Sequence, residues 1–358
     1  MGNRCRSATS EADGVVILDY VHTTLPFFRL PRGLDERTIV ELNNLLTVVR
    51  VIPETEKHLE ILKGISANNS ADEIDFWRSP RAVGHPVDTS LSPKVFDHYH
   101  NTLRMHGLRP EVTIRDVQKL INTSDEMNTH ALKFHPAQDN FNYGAYHNLH
   151  EVTEWMYNLA RRYSDMVTIV NISQSFEKRP IVGLKISSGK GNAEKPNFFI
   201  EGGIHAREWI SPATVIYMTG QMLSQYKIRK KISDIVDKFN WYILPVFNVD
   251  GYEYTWTHDR TWRKTRSKHP GSVCIGVDPN RNWNWQWGNV GSSNLPCSNT
   301  YRGPKAFSEV EVKGVANFMK KVRMKAFIDF HSYSQRWMSP WGYTEHLPND
   351  YNDQVSMF

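Results

Sequence analysis

A histidine and a glutamate, His205 and Glu208, lie three residues apart within residues 201–209 (EGGIHAREW). An apolar run and two glycines precede them and a helix-like segment at residues 211–224 follows, so the pattern predicts a turn between a strand and a helix. Zn²⁺ in catalytic sites binds imidazole nitrogen and carboxylate oxygen and keeps one position open for water. The two side chains can therefore supply two zinc ligands. The tetrapeptide alone is weak evidence, because a glutamate that caps a helix and a histidine packed at a strand end produce the same sequence.

A third candidate ligand follows a second predicted strand. Residues 326–330 have the apolar composition of a buried strand, and His331 comes directly after them. Ligands at the ends of strands of one sheet converge at its carboxyl edge, where open α/β sheets place their sites. We therefore predict that His205, Glu208 and His331 bind one Zn²⁺.

Four motifs of the chain occur in the order of a known family. They are HAREW (205–209), TWRKTRS (261–267), DPNRNW (278–283) and HSYSQ (331–335). Together they closely resemble the zinc carboxypeptidases of the digestive A/B type, and the resemblance covers about residues 142–358. It implies a zinc-dependent enzyme, made as a zymogen, that hydrolyses the C-terminal peptide bond of peptides and proteins.

A C-terminal exopeptidase must also bind a free carboxylate, and the planar guanidinium of arginine does this through two parallel hydrogen bonds. The resemblance assigns this role to Arg281 together with Asn280. It makes Arg263 a catalytic residue that polarises the substrate carbonyl, and it places Arg207 and Tyr333 at flanking substrate subsites. Any one of these arginines alone would more commonly form a surface ion pair, but four motifs in order argue against that reading.

The resemblance also implies two supporting interactions. Asp278 is expected to accept a hydrogen bond from His205, because a metal-bound imidazole usually donates its other N–H to a carboxylate. Cys274 and Cys297 match the disulfide pair of the family, whereas Cys5 matches nothing. A pair of free buried thiols is the alternative for the first two.

Composition limits the classes of protein that fit. With 358 residues and 40% hydrophobic content, the chain is long enough for two domains. The net charge of +5 is mild, and the densest basic cluster is predicted to be a solvated face at Lys264, Arg266 and Lys268. Nucleic acid is therefore not an expected partner, and no apolar run approaches the roughly 18 residues of a membrane span. The expected partner is a peptide or protein with a free C-terminal carboxylate, and we expect a monomer.

Residues 1–46 carry no chemical motif and are either a leader or unassigned. Helical spacing at residues 34–46 predicts a short amphipathic helix, and the apolar run at residues 15–18 is too short for the core of a secretory signal. The family resemblance nevertheless implies an extracellular protein. Glycosylation sequons at Asn68, Asn122 and Asn171 add little, because three in a chain of this length is close to chance.

Residues 47–123 show strand and helix patterns in the order β-α-β-β-α-β, which is that of the ferredoxin-like α+β unit. The last strand is predicted over residues 111–121. The position of this unit before a peptidase resembles the activation domain of procarboxypeptidases, and an unrelated α+β accessory domain is the alternative. Residues 124–141 are polar, contain a proline and are predicted to be the connecting segment.

Helix and strand patterns alternate in residues 142–358, the predicted catalytic domain. The predicted strands cover residues 167–172, 181–187, 196–201, 241–247 and 326–330, and the predicted helices cover residues 148–163, 212–226 and 309–322. Such alternation predicts an α/β fold with a mixed or parallel sheet flanked by helices. The resemblance makes this the zinc carboxypeptidase fold, preceded by the small ferredoxin-like domain.

One part of the chemistry is not found in this sequence. Zinc peptide hydrolysis needs a carboxylate that takes a proton from the attacking water and returns it to the leaving amine. The resemblance places that glutamate and the residue that sets side-chain specificity well past His331, and the chain continues for only 27 residues beyond it. We therefore expect that the C-terminal part of the catalytic domain is missing, that the sequence is a fragment of a normal enzyme, and that the chain by itself is inactive. The alternatives are a non-catalytic binding protein with a carboxypeptidase-like fold and a zinc amide hydrolase for non-peptide substrates, which would have no use for Asn280 and Arg281.

Overall fold

The structure is a computed structural model, and it describes residues 15–19, 46–67, 73–134, 141–189, 195–289, 291–334, 336–344 and 346–356. Cys5, Asn68 and the helical pattern at residues 34–45 lie outside these ranges. The chain divides into two compact units. The first unit comprises Met1–His22, Tyr146–Trp262 and Glu309–Phe358, and the second comprises Thr23–Ala145 and Arg263–Ser308.

The described residues form strands and helices that we number in chain order. The strands are β1 (Val15–Asp19), β2 (Thr47–Val51), β3 (Ile74–Arg78), β4 (Val87–Leu91), β5 (Glu111–Ile114), β6 (Val167–Gln174), β7 (Pro180–Ile186), β8 (Asn197–Gly202), β9 (Asn240–Leu244), β10 (Met324–Phe330) and β11 (Arg336–Met338). The helices are α1 (Glu56–Ala67), α2 (Pro93–Met105), α3 (Val117–Phe134), α4 (Leu149–Arg162), α5 (Ile210–Ser224), α6 (Lys230–Lys238), α7 (Val249–Thr257), α8 (Val310–Val322) and α9 (Tyr351–Val355). Among these described helices, none combines the length and the hydropathy of a transmembrane segment.

The first unit contains a seven-stranded mixed sheet with the order β11-β1-β10-β8-β9-β7-β6. β1, β10, β8 and β9 run parallel, whereas β11 pairs antiparallel with β1, and β7 pairs antiparallel with both β9 and β6. Helices α4, α5 and α8 pack on this sheet. Strands covered by helices have no solvated face, and Phe199, Ile200, Ile243 and Leu244 of the central strands are accordingly buried. The predicted mixed α/β fold is confirmed.

The register of β8 and β10 decides where the candidate site forms. Glu201 is paired with Asp329, and Gly202 is paired with Phe330. Because the two strands are parallel neighbours, their carboxyl ends lie at the same edge of the sheet. The segments that carry His205, Glu208 and His331 therefore start side by side, although more than a hundred residues separate them in the sequence.

The second unit contains a four-stranded antiparallel sheet with the order β3-β4-β2-β5. Its core packs Leu62 of α1 and Leu103 of α2 against strand residues that include Val49 and Leu91, all of them fully buried. Each helix buries a stripe at helical spacing, as expected for an amphipathic helix that covers one face of a sheet. The element order and the pairing confirm the predicted ferredoxin-like unit.

Several predicted elements differ from the structure. The strand predicted over residues 111–121 ends at Ile114, and α3 occupies residues 117–134, which include most of the predicted connecting segment. The helix has a local start signal, since the Asp116 carboxylate accepts a hydrogen bond from the N–H of Lys119 at 2.8 Å. The strand predicted to reach residue 247 ends at Leu244, because Pro245 has no N–H to donate to a ladder.

Other elements were not predicted at all. Residues 15–19, expected to be a leader or unassigned, form strand β1 in the large sheet. Helices α6 and α7 were also missed. Each of them covers only nine residues, which is too short for helical spacing to stand out in the sequence.

Candidate metal centre

His205 and Glu208 lie on the turn between β8 and α5, and His331 is the first residue after β10. The turn needs glycine at position 203, where φ is +68° and an added Cβ would lie 3.0 Å from the side chain of Pro212. This glycine lets the chain leave the strand and double back towards the helix. The local sequence thus places two candidate ligands at one strand end.

The three candidate ligands converge around the carboxylate of Glu208. Its Oε1 lies 2.8 Å from Nδ1 of His205, and its Oε2 lies 3.0 Å from Nδ1 of His331. The backbone N–H of Ser332 donates to the same Oε2 at 3.0 Å. One ligating atom from each residue lies within 4.8 Å of the others, and the residues are only 3%, 7% and 7% exposed. The predicted ligands are therefore brought together in a buried group.

Charge in this group is balanced by the imidazoles. Burial alone would raise the pKa of the Glu208 carboxyl, but the charges and hydrogen bonds of His205 and His331 hold it well below its ordinary range. Burial alone would lower the pKa of His331, but the carboxylates of Asp329 and Glu208 raise it well above its ordinary value. The Glu208 carboxylate thus lies between two imidazole rings inside the protein.

The donor set fits Zn²⁺. Two imidazole nitrogens and a carboxylate are a known ligand set of catalytic zinc sites, which keep a further position for water. A buried carboxylate requires a positive partner, and a dication held by the same three side chains would supply that positive charge. The convergence and the burial of these atoms are what such an ion needs.

Asp329 supports His331 from the other side of the ring. Its Oδ2 lies 2.7 Å from Nε2 of His331, and it is only 3% exposed. A carboxylate on the second ring nitrogen fixes the tautomer and leaves Nδ1 to face Glu208. Glu201, paired with Asp329 in the register, is fully buried, and burial followed by the charge of Asp329 raises the pKa of its carboxyl well above the ordinary value.

The second unit brings together four residues of the predicted site. They are the predicted catalytic residue Arg263, the predicted substrate-binding residues Asn280 and Arg281, and the predicted supporting residue Asp278. The guanidinium of Arg263 donates to Oδ2 of Asp278 at 2.9 Å, and the backbone N–H of Asn280 donates to Oδ1 at 2.9 Å. Asp278 is fully buried and caps the 3₁₀ turn Pro279–Arg281. The role predicted for Asp278 beside His205 stays a prediction.

Arg281 is held by backbone carbonyl groups. Its Nε donates to the carbonyl of Gly291 and its Nη1 to the carbonyl of Asn280, each at 2.9 Å. Burial lowers the pKa of the Arg281 guanidinium, the carboxylate of Asp278 opposes that shift, and the charge of Arg263 adds to it. Two neutral acceptors thus orient this cation, and neither of them neutralises its charge.

A disulfide closes the segment that contains Asn280 and Arg281. Cys274 and Cys297 are bonded, with Cα atoms 5.1 Å apart, so the predicted pair is present. The prediction that Lys264 belongs to a solvated basic face is wrong, because this residue is only 3% exposed and its Nζ donates to the carbonyl of Pro296 at 2.7 Å. Its ammonium group ties the TWRKTRS motif to the disulfide loop.

Arg207 and Tyr333 lie beside the candidate metal ligands in the first unit, Arg207 between His205 and Glu208 and Tyr333 two residues after His331. Nη1 of Arg207 lies 3.3 Å from the carbonyl of Thr261, and the carbonyl of Arg207 accepts a hydrogen bond from Arg260 at 2.8 Å. Tyr333, two residues after His331, is 38% exposed. Both residues are therefore close in sequence to the metal group, as the motifs require.

Comparison with known families decides the identity. The family described as zinc carboxypeptidase matches residues 152–357, and the family described as carboxypeptidase activation peptide matches residues 49–124. The chain belongs to the zinc carboxypeptidase family. Among its relatives, carboxypeptidase A2 of Mus musculus is 39% identical over 86% of this chain and 72% of that protein. Carboxypeptidase A4 of Mus musculus is 43% identical over 77% of this chain and 66% of that protein.

Solved structures of relatives share the fold of this zinc carboxypeptidase. Thrombin-activatable fibrinolysis inhibitor is 32% identical, covers 87% of this chain and 77% of its own, and superposes with a TM-score of 0.74. The carboxypeptidase A of Helicoverpa armigera is 26% identical, covers 87% of this chain and 75% of its own, and gives a TM-score of 0.78. The peptidase family and the activation-peptide family both match this one chain, which is the organisation of a zymogen.

Sequence reasoning missed one functional contact of this zinc carboxypeptidase. Asp329 was interpreted only as part of a buried strand. The signal was available, since residues two apart on an extended segment project to the same side and an aspartate two positions before a ligand histidine can reach its ring. What the sequence could not supply was the direction in which the ring of His331 turns.

Proposed function

We propose that this zinc carboxypeptidase hydrolyses the C-terminal bond of peptides and proteins that end in a free carboxylate, using one Zn²⁺ held by His205, Glu208 and His331. The observation that carries the proposal is the convergence of these three buried side chains. When bound, Zn²⁺ polarises the scissile carbonyl and lowers the pKa of a bound water. The proposed substrate class is the one that the family implies, and Arg263 and Arg281 are suited to bind it.

The residues of the metal group have distinct tasks. Glu208 is fixed on both oxygens, since His205 contacts Oε1 and both His331 and the N–H of Ser332 contact Oε2. Asp329 accepts a hydrogen bond from Nε2 of His331, so Nδ1, which faces Oε2 of Glu208, is the nitrogen that would bind a metal. Such preorganisation means that little rearrangement is needed when the ion binds.

We propose that Arg281 and Asn280 bind the C-terminal carboxylate of the substrate and that Arg263 polarises the substrate carbonyl. Arg281 is anchored through Nε and Nη1 by carbonyl groups, which leaves its charge available for an anion. Arg263 is oriented by its ion pair with the buried Asp278. Arg207 and Tyr333 would contact residues further along the substrate.

The zymogen organisation extends this proposal. We assign residues 47–123 to the activation domain, 124–141 to the connecting segment and 142–358 to the catalytic domain, with residues 1–46 left as a leader or unassigned. Support comes from the match of the activation-peptide family at residues 49–124 and of the peptidase family at residues 152–357. We also propose that the protein is extracellular and monomeric.

Measurement of the zinc content of the protein tests the proposed metal site. The purified protein should bind one Zn²⁺, and the triple variant His205→Ala, Glu208→Ala, His331→Ala should lose it. A matched control is Arg281→Ala, which removes no candidate ligand and should keep the metal. Stoichiometric zinc in the triple variant would show that the ion is held elsewhere.

The second part is tested with a matched peptide acid and peptide amide, comparing binding and cleavage. Wild type should prefer the acid, and Arg281→Ala should lose most of that preference, because truncating one partner of a buried charged pair costs about 2 to 5 kcal/mol. Equal affinity of the wild-type protein for the peptide acid and the peptide amide would refute the exopeptidase assignment. Because the chain by itself is expected to be inactive, binding of the acid without cleavage does not separate the enzyme from the alternative of a non-catalytic binder, whereas cleavage of the acid would exclude the binder.

A further inference from the structure

The side chain of Ser211, in the first turn of α5, bridges the two strand ends that carry the candidate metal ligands. Its Oγ accepts a hydrogen bond from the N–H of Gly203 at 2.8 Å and donates one to the carbonyl of Phe330 at 2.5 Å. Gly203 lies two residues before His205, and Phe330 lies immediately before His331. The hydroxyl group thus accepts a hydrogen bond from one ligand-bearing segment and donates one to the other.

The backbone of Ser211 reaches the third ligand segment. Its N–H donates to the carbonyl of Glu208 at 2.9 Å. Ser211 is therefore hydrogen-bonded beside each of the three candidate ligands, through atoms that take no part in metal coordination. These three hydrogen bonds join Ser211 to Gly203, Glu208 and Phe330, each of which lies in a segment that carries a candidate ligand.

The surroundings of Ser211 leave it little freedom. The residue is fully buried, and a Cβ added to Gly202 would lie 2.9 Å from its Oγ and 3.1 Å from its carbonyl carbon and oxygen. Real side chains essentially never approach so closely, so the strand end packs directly on the serine. A buried hydroxyl with both bonds made is a rigid link, because breaking either bond leaves a polar group unpaired.

We propose that Ser211 is a positioning residue of the metal site, which sets the separation of the His205, Glu208 and His331 segments that a single ion requires. The proposal rests on the proposed zinc site and adds a residue that neither the motif nor the ligand set specifies. Ser211 acts through the backbone on both sides of the site. Removing its hydroxyl should therefore loosen the geometry of the ligands while leaving every ligand in place.

The test measures the metal itself in the full chain. Zinc affinity is determined by competition with a chelator, and the absorption spectrum of the Co²⁺-substituted protein reports the coordination geometry. Ser211→Ala should bind Zn²⁺ about 10- to 100-fold more weakly, as is typical when an outer partner of a metal ligand is removed, and its Co²⁺ spectrum should change. Thr219→Val is the matched control, because the Thr219 hydroxyl lies in the same helix, is buried and donates at 2.7 Å only to the carbonyl of Val215 among the described atoms.

A second pair of variants protects the test against misfolding. Ser211→Thr keeps the hydroxyl, and Ser211→Val has the shape of threonine without it, so any crowding by the added methyl is common to both. The threonine variant should bind Zn²⁺ more tightly than the valine variant and should keep the wild-type Co²⁺ spectrum.

Three results would overturn the inference. They are a wild-type zinc affinity and Co²⁺ spectrum in Ser211→Ala, equal affinities of the threonine and valine variants, and a loss in Thr219→Val as large as that in Ser211→Ala. Failure of the wild-type chain to bind Zn²⁺ at all is a different outcome, since it would refute the zinc site from which the inference starts.

Discussion

Changing Glu311 to glutamine should stabilise the protein at neutral pH and remove part of the pH dependence of its stability. Glu311 lies in the first turn of α8 and is fully buried. Its Oε1 accepts the N–H of Phe176 at 2.8 Å, whereas its Oε2 has no hydrogen-bond partner among the described atoms. Burial raises the pKa of Glu311 to about 7, the N–H of Phe176 partly offsets this, and the nearby carboxylates of Glu309 and Asp250 add to it.

The magnitude follows from that pKa. A rise from the ordinary 4.5 to about 7 corresponds to about 3 kcal/mol, at about 1.4 kcal/mol for each pKa unit. Because the folded pKa lies above the unfolded one, the folded state binds the proton more tightly. The stabilisation that this proton provides is complete below about pH 4.5 and is lost as the pH rises through about 7. Glutamine keeps the acceptor for Phe176 and cannot ionise, so it should not suffer that loss.

The assay is urea unfolding of wild type and Glu311→Gln at a series of pH values from 4.5 to 8. The free energy of unfolding of the variant, minus that of wild type, should increase with pH by about 3 kcal/mol and then level off. Glu154→Gln is the control, because Glu154 is exposed on α4 and surface substitutions usually change stability by less than about 0.5 kcal/mol. A difference for Glu311→Gln that stays constant over this range would refute the reasoning.

Two further predictions concern the candidate metal site and the disulfide. Asp329→Ala should weaken zinc binding about 10- to 100-fold by releasing Nε2 of His331, which chelator competition would measure; an unchanged affinity would mean that the ring is held without Asp329. Replacing Cys274 and Cys297 by serine should lower the free energy of unfolding by roughly 3 kcal/mol, given their separation of 23 residues. Urea unfolding of this variant and of wild type measures the difference in the free energy of unfolding. Equal free energies of unfolding would contradict the prediction.

The sequence alone determined the elements whose signals are local. Helix α4 was predicted within a residue of its bounds, because Asn148 and Glu151 form a capping box at its start. The turn that presents His205 and Glu208 was also readable, since the glycine at position 203 and the spacing of the two ligands lie within one short stretch. A helix cap and a tight turn depend on residues that are neighbours in the chain, so the sequence is enough to predict them.

Local signals that contradict a longer pattern were misread. The apolar residues of 111–121 were assigned to one strand, although Asp116 caps a helix that starts at Val117. Lys264 was placed on a solvated face because lysines usually are solvated, yet its Nζ donates to a carbonyl in the interior. The exposure of a side chain is decided by what packs over it, which the chain reveals only when it is folded.

The tertiary structure decided how the metal ligands are held. Hydrogen bonds link Ser211 to Phe330 and Glu208 to His331 across 119 and 123 residues of sequence. The Asp329 contact depends on the rotamer of His331, which the register of β8 and β10 and the packing around it select. A metal site needs distances set to a fraction of an ångström, and such distances come from the pairing of remote strands.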